Sequence, residues 1–302
     1  MSTFERADFY TGLYMEHLRN QGAVRYPEDP LVETFRMRDN VYSMLSKSPG
    51  MGGDAWMHLI IGPERALLID TGFGIGNLKA LVERLTDKPY DVVNTHFHGD
   101  HTLGNFQFDR VYCHEYDADA LKEAMKGENR SRFMPPEKKY YEDSDVIPVR
   151  DYEVVGVKDG HIFDLGDGYE VELIHLPGHA PGGCGFIDRT RRILFSGDAL
   201  VSTPCLICGR QPEGKYAKYM TVQAYYEQLQ KLMTKIDDFD CLFPGHAILG
   251  YTKKAVPDML TACREVLKDP KSFLEIDPER GNAKLKDVGA AAFAYTDNRV
   301  YY

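Results

Sequence analysis

At 302 residues with 43% hydrophobic side chains, the chain can bury one large core or two modest ones without covalent staples. A formal net charge of -10, with no long run of Lys or Arg, argues against a general nucleic-acid binder. The charged start, Met-Ser-Thr-Phe-Glu-Arg-Ala-Asp, carries no apolar signal core, and no stretch approaches the ~20 apolar residues of a membrane span, so a cytoplasmic protein without a membrane partner is expected.

Residues 1–40 read as an extension, with Phe9, Tyr10, Leu13, Tyr14 and Leu18 at helical spacing. Such a stripe suits packing on the core, a homodimer contact or the rim of a pocket. Strands are expected at 41–46, 56–62 and 66–70 as an antiparallel meander, with a glycine-rich loop at 48–55 that ends on Trp56, the single tryptophan. A helix follows, with Leu78, Leu81, Val82 and Leu85 on one face, then strands at 90–93 and 111–113 and a helix at 115–125. Residues 127–160 are polar and proline-bearing and read as an insertion or cap. Strands resume near 162, 169–175, 183–188 and 192–196, followed by a helix at 222–236, a strand at 241–243 and a helix at 255–267. In the tail, 269–302, weak alternation predicts a hairpin turning through Thr296-Asp297-Asn298.

The densest chemistry lies directly after the strand at 90–93, in His96-Phe97-His98-Gly99-Asp100-His101. Side chains two apart on an extended backbone project to one side, so His96 and His98 can reach one ion together. Asp100 and His101 then point elsewhere, which calls for a second cation. Imidazole nitrogens with carboxylate oxygens suit zinc, with manganese or iron as substitutes. Three further candidates each sit just past a strand: His179 in Leu176-Pro177-Gly178-His179, Asp198 in Ser196-Gly197-Asp198, and His246 in Pro244-Gly245-His246. Strand ends on one sheet edge can converge although distant in sequence. The six cysteines sit mostly in apolar runs and are expected reduced; Cys205-x-x-Cys208 has no second pair to complete a structural zinc site.

With these motifs the chain resembles the metallo-β-lactamase-fold hydrolases over residues 41–268, nearest in motif to the glyoxalase II and lactonase-like branch. The resemblance implies an α/β fold of the four-layer αββα sandwich type and a two-metal site. By position, His96, His98 and His179 would hold the first ion, Asp100, His101 and His246 the second, and Asp198 would bridge them. The implied reaction is attack of a bridging hydroxide, oriented by Asp100, on an ester-like bond (thioester, lactone or ester) of a small molecule. A small phosphodiester substrate, a mononuclear-iron persulfide dioxygenase and a non-catalytic metal-stabilised binding module are the alternatives. Substrate contacts are expected from Met51 and Trp56, and from Arg210, Tyr216 and Tyr219 in the basic, aromatic segment 205–219.

Overall fold

The computed structural model describes residues 2–50, 53–126 and 140–302. The chain divides into two compact units, Glu16–Val171, and Met1–Met15 together with Glu172–Tyr302. Helix α1 (Thr3–Gly22) begins in the latter and ends in the former.

The unit Glu16–Val171 is built on an eight-stranded sheet in sequential order: β1 (Val24–Tyr26), β2 (Asp29–Arg38), β3 (Val41–Ser46), β4 (Ala55–Ile61), β5 (Ala66–Ile69), β6 (Tyr90–Val93), β7 (Arg110–His114) and β8 (Glu153–Val157). Pairing is antiparallel up to β5 and parallel from β5 to β8. The change of direction follows from the connections. Parallel neighbours need crossovers, and α2 (Leu78–Leu85), α3 (Gly99–Thr102) and α4 (Ala118–Ala124) lie on them. Asn77 caps α2 by accepting from the Ala80 amide at 3.2 Å. Leu78, Leu81 and Val82 then turn inward onto Leu59, Leu68 and Val92, each buried side chain stabilising the core by roughly 1.5–3 kcal/mol.

Two sequence expectations change here. Residues 29–38, expected ahead of the fold, are β2, hydrogen-bonded along β3, because Val32 and Phe35 are buried against the sheet. Part of the expected insertion is β8, parallel to β7; Gly156 hides its strand character, and a Cβ there would meet the Glu115 Cα at 3.1 Å. Residues 127–139 of that segment lie outside the described residues.

The chain passes through β9 (Ile162–Asp164) into β10 (Glu170–His175), within which the first unit ends. The elements that follow are β11 (Cys184–Asp188), β12 (Ile193–Gly197), β13 (Cys205–Ile207), α5 (Val222–Met233), β14 (Cys241–Pro244), β15 (Tyr251–Thr252), α6 (Ala255–Lys268), β16 (Glu275–Asp277), β17 (Ala283–Val288) and β18 (Ala291–Tyr295). They form a six-stranded sheet, β15-β14-β12-β11-β10-β9, and a four-stranded one, β13-β18-β17-β16. Leu194, Leu242, Val222, Tyr225, Val256 and Phe293 belong to one buried cluster. The tail hairpin is β17–β18, with Val288 opposite Ala291, and not a turn at 296–298. Gly289 takes φ +59, the left-handed geometry that a two-residue hairpin loop needs, while 297–299 form a single 3-10 turn.

Candidate metal centre

In the unit Glu16–Val171 the histidine loop is fixed by groups from two parallel strands. β5 and β6 pair in parallel, so Asp70 and Thr95 leave the sheet at the same edge. Asp70 takes φ +61, a region that Asp tolerates, and turns its carboxylate into the loop. Its Oδ1 accepts from the Thr95 amide at 2.7 Å, and its Oδ2 accepts from Thr95 Oγ1 at 2.8 Å and from His101 Nδ1 at 2.9 Å. The consequences run through both histidines. His101, fully buried, spends its Nδ1 proton on Asp70 and keeps a lone pair on Nε2, which lies 3.7 Å from Asp100 Oδ2. Thr95 has given its proton to Asp70, so its oxygen can only accept from His96 Nδ1 at 3.1 Å. That leaves the lone pair of His96 on Nε2, which faces His98 Nδ1 at 3.0 Å.

A buried amide network holds the far side of the loop. The His101 carbonyl accepts from the Thr71 amide (2.8 Å), Thr71 Oγ1 (3.1 Å) and Asn94 Nδ2 (3.2 Å), and Asn105 completes the set through Asn94 and Thr71. Asp117 accepts from the Phe97 amide at 3.0 Å. These bonds anchor the backbone of the motif at Thr95, Phe97 and His101.

In the second unit the same logic applies to strand ends. β12 and β14 pair in parallel with Gly197 opposite Pro244, and the Gly245 amide donates to the Gly197 carbonyl at 2.9 Å. Asp198 and His246 therefore leave one edge side by side. His179 follows β10 on a loop that needs its glycine: Gly178 has φ +116, and a Cβ there would lie 2.9 Å from that of Tyr225. The Gly178 amide donates to the Tyr219 carbonyl at 2.7 Å, and His175 Nε2 donates to the Pro181 carbonyl at 2.8 Å. His179 Nδ1 donates to the Leu206 carbonyl at 2.7 Å, which turns Nε2 toward Asp198. Asp198 Oδ2 lies 3.5 Å from His179 Nε2 and 3.4 Å from His246 Nε2.

These separations fit metal ligation. Two ligands ~2.1 Å from one tetrahedral zinc lie about 3.4 Å apart. The Asp198 pairs match that spacing and exceed a good hydrogen bond, and a single oxygen, Oδ2, serves both histidines. In each histidine whose Nδ1 proton is spent, Nε2 is the atom left to bind, the arrangement that outer partners impose on metal-bound imidazole. His96, His98, Asp100, His101, His179, Asp198 and His246 all belong to groups that could hold a metal ion.

The expected substrate contacts fare differently. Met51 lies outside the described residues. Trp56 is corrected: it sits within β4, 1% exposed, its ring edge-on to Phe35 at 5.7 Å, so it packs as core where a loop contact was expected. Arg210 is exposed, Tyr216 is half-buried with Lys215 Nζ 4.8 Å above its ring, and Tyr219 lies against His175 with ring centroids 5.4 Å apart. Sequence reasoning passed over Asp70, Asp117 and the Asn94–Asn105 pair. An aspartate closing an apolar strand just before Thr-Gly was the available signal for the first. Cys205 is buried in β13, and burial pushes its thiol well above the ordinary range.

Residues 50–246 match the metallo-β-lactamase superfamily model, and the chain belongs to that superfamily of metal-dependent hydrolases. Among curated relatives it is similar to the acyl-coenzyme A thioesterase MBLAC2 of Bos taurus, 27% identical over 235 residues, which cover 69% of this chain and 78% of the relative. It is also similar to the hydroxyacylglutathione hydrolase GloC of Haemophilus influenzae, 28% identical over 206 residues, covering 64% and 87%. A β-lactamase domain protein from Burkholderia ambifaria superposes with a TM-score of 0.56 at 19% identity, covering 78% of this chain and 76% of that one. The DIM-1 metallo-β-lactamase gives 0.53 at 18% identity, covering 79% of this chain and 100% of that one. These structures establish the fold as the metallo-β-lactamase type of α/β sandwich. Among the described residues, no helix is long and apolar enough to cross a membrane.

Proposed function

We propose that the chain hydrolyses an ester-like bond of a small molecule, a thioester before a lactone or a simple ester, at a centre of two divalent ions, zinc first. In this reading His96, His98 and His179 hold one ion, Asp100, His101 and His246 hold the other, and Asp198 is shared. When bound, such ions ionise water near neutral pH and polarise the carbonyl under attack. The remaining work belongs to the chain. Asp100 accepts a proton from the attacking water and passes it toward the leaving sulfur. Asp70 holds His96 and His101 in the tautomers that bind through Nε2, and the Leu206 carbonyl does the same for His179. Asp100 and Asp198 offset part of the charge of two dications, leaving a net positive site that favours a developing oxyanion.

The observation that supports this reading most is the single Asp198 oxygen set 3.5 and 3.4 Å from two imidazole nitrogens. The thioester preference rests on relatives, one of them named a thioesterase. The test is a substrate panel on metal-loaded protein: an acyl-coenzyme A, a hydroxyacylglutathione, a lactone, an aryl ester and bis(p-nitrophenyl) phosphate. Fastest turnover of a thioester is the expected result. Turnover of the phosphate diester alone would make it a phosphodiesterase, oxygen uptake with a persulfide on iron-loaded protein a dioxygenase, and metal uptake without any turnover a binding module.

A further inference from the structure

Arg299 stands outside the metal chemistry and has an electrostatic problem. It ends the 3-10 turn Asp297–Arg299 and is only 8% exposed, yet its hydrogen bonds go to one neutral group: Nε and Nη2 both donate to the Arg210 carbonyl, at 3.1 and 3.0 Å. Asp297, in the same turn, is paired with Lys284 at 2.5 Å, and Asp277 with Arg280 at 2.7 Å. Burial pulls the Arg299 pKa down, and the Cys208 thiol opposes this. A guanidinium stays charged in proteins, so among the described residues Arg299 is a buried cation without a carboxylate counterion, a costly arrangement unless an anion completes it. Its five donors form a planar fork suited to oxyanions, and one carbonyl leaves most of them over.

The surroundings fit an oxyanion. Arg299 braces the turn at Cys208, Gly209 and Arg210, where Gly209 takes φ +115 and its carbonyl is held by Asn298 Nδ2 at 3.2 Å. Arg210 adds a second, exposed guanidinium on the same turn. The turn directly follows β13, whose Leu206 carbonyl orients His179. At ~3.3 Å per residue, Arg210 is at most about 13 Å along the chain from Leu206.

We propose that Arg299, with the turn at 208–210, is a binding site for a small oxyanion, a phosphate or a carboxylate. The anion is either free in solution or carried on the thiol portion of the substrate. The second source rests on the thioester reading above; the first does not.

The experiment uses metal-loaded wild type, Arg299→Gln and Arg299→Lys, with inorganic sulfate as probe against chloride at equal ionic strength. Sulfate is expected to raise the melting temperature of wild type more than that of Arg299→Gln, with at least a tenfold loss of sulfate affinity in that variant and partial retention in Arg299→Lys. In the second arm, the ratio of kcat/KM for a thioester of an anionic thiol to that for a thioester of a neutral thiol is measured. A tenfold fall of this ratio in Arg299→Gln assigns the anion to the substrate; an unchanged ratio beside a lost sulfate response assigns it to a free anion. If no thioester is cleaved, the thioester reading fails and the sulfate arm still decides the site. Equal sulfate response in wild type and variant, with both thioesters affected alike, overturns the proposal and leaves Arg299 a structural clip. Should Arg299→Gln not fold, the exposed Arg210→Gln variant takes its place, with weakened sulfate binding expected and an unchanged response contradicting the site.

Discussion

Asp70→Asn isolates the positioning of the histidines from the ligands themselves. Asparagine tolerates the φ of +61 at this position, so the backbone need not move. The Thr95 amide is a fixed donor and must face the new amide oxygen, which aims the new NH2 at Thr95 Oγ1 and His101 Nδ1, where wild type presents an acceptor. His101 must then accept at Nδ1 and carry its proton on Nε2. Thr95 must turn its own proton toward His96 Nδ1, with the same result there. Both binding nitrogens are blocked by protons that metal must displace. Loss of one such outer partner costs about 10–100-fold in metal affinity or activity, roughly 1.4–2.8 kcal/mol, and two imidazoles are affected here. The assay is competition for zinc against a chromophoric chelator, paired with kcat/KM on the best substrate. A metal affinity and a kcat/KM both within about threefold of wild type would refute the reasoning.

Three further outcomes are expected. Asp198→Ala should lose bound metal as well as rate, and full metal content by elemental analysis would count against the shared carboxylate. Gly178→Ala should destabilise the fold by about 1–3 kcal/mol, because the new methyl meets Tyr225 at 2.9 Å, and should weaken metal binding by displacing His179; unchanged urea unfolding would contradict this. Asp29 is fully buried, and burial raises its pKa from 3.8 to about 6, so its contribution is full below pH 4 and is lost as the pH rises through 6. Asp29→Asn should therefore gain stability over wild type above pH 6, by up to about 3 kcal/mol, and urea unfolding at pH 4.5 and pH 8 that shows no change in that difference would exclude it.

The sequence was readable where chemistry and periodicity coincide. The apolar runs at 41–46 and 90–93 are strands with those very limits, and Leu78, Leu81 and Val82 face inward as their spacing requires. The His96–His101 motif announced itself because so many metal-binding side chains rarely fall within six positions. β2 was hidden by a proline-bearing approach, and β8 by Gly156 and polar flanks, since both owe their existence to partner strands and not to their own composition. Trp56 was misread because a glycine-rich loop next to an aromatic residue has the look of a pocket rim, whereas β4 is buried along its whole length. Asp70 was out of reach for a different reason. Its role depends on β5 lying parallel to β6, a tertiary fact that no spacing in the chain encodes.

In the proposed centre seven side chains, His96, His98, Asp100, His101, His179, Asp198 and His246, hold two ions between them. Anomalous diffraction at the metal edge from zinc-loaded crystals tests it most directly. Two peaks about 3.5–4 Å apart are predicted, with the Asp198 carboxylate between them. A single peak, or a pair ligated by other residues, would contradict it.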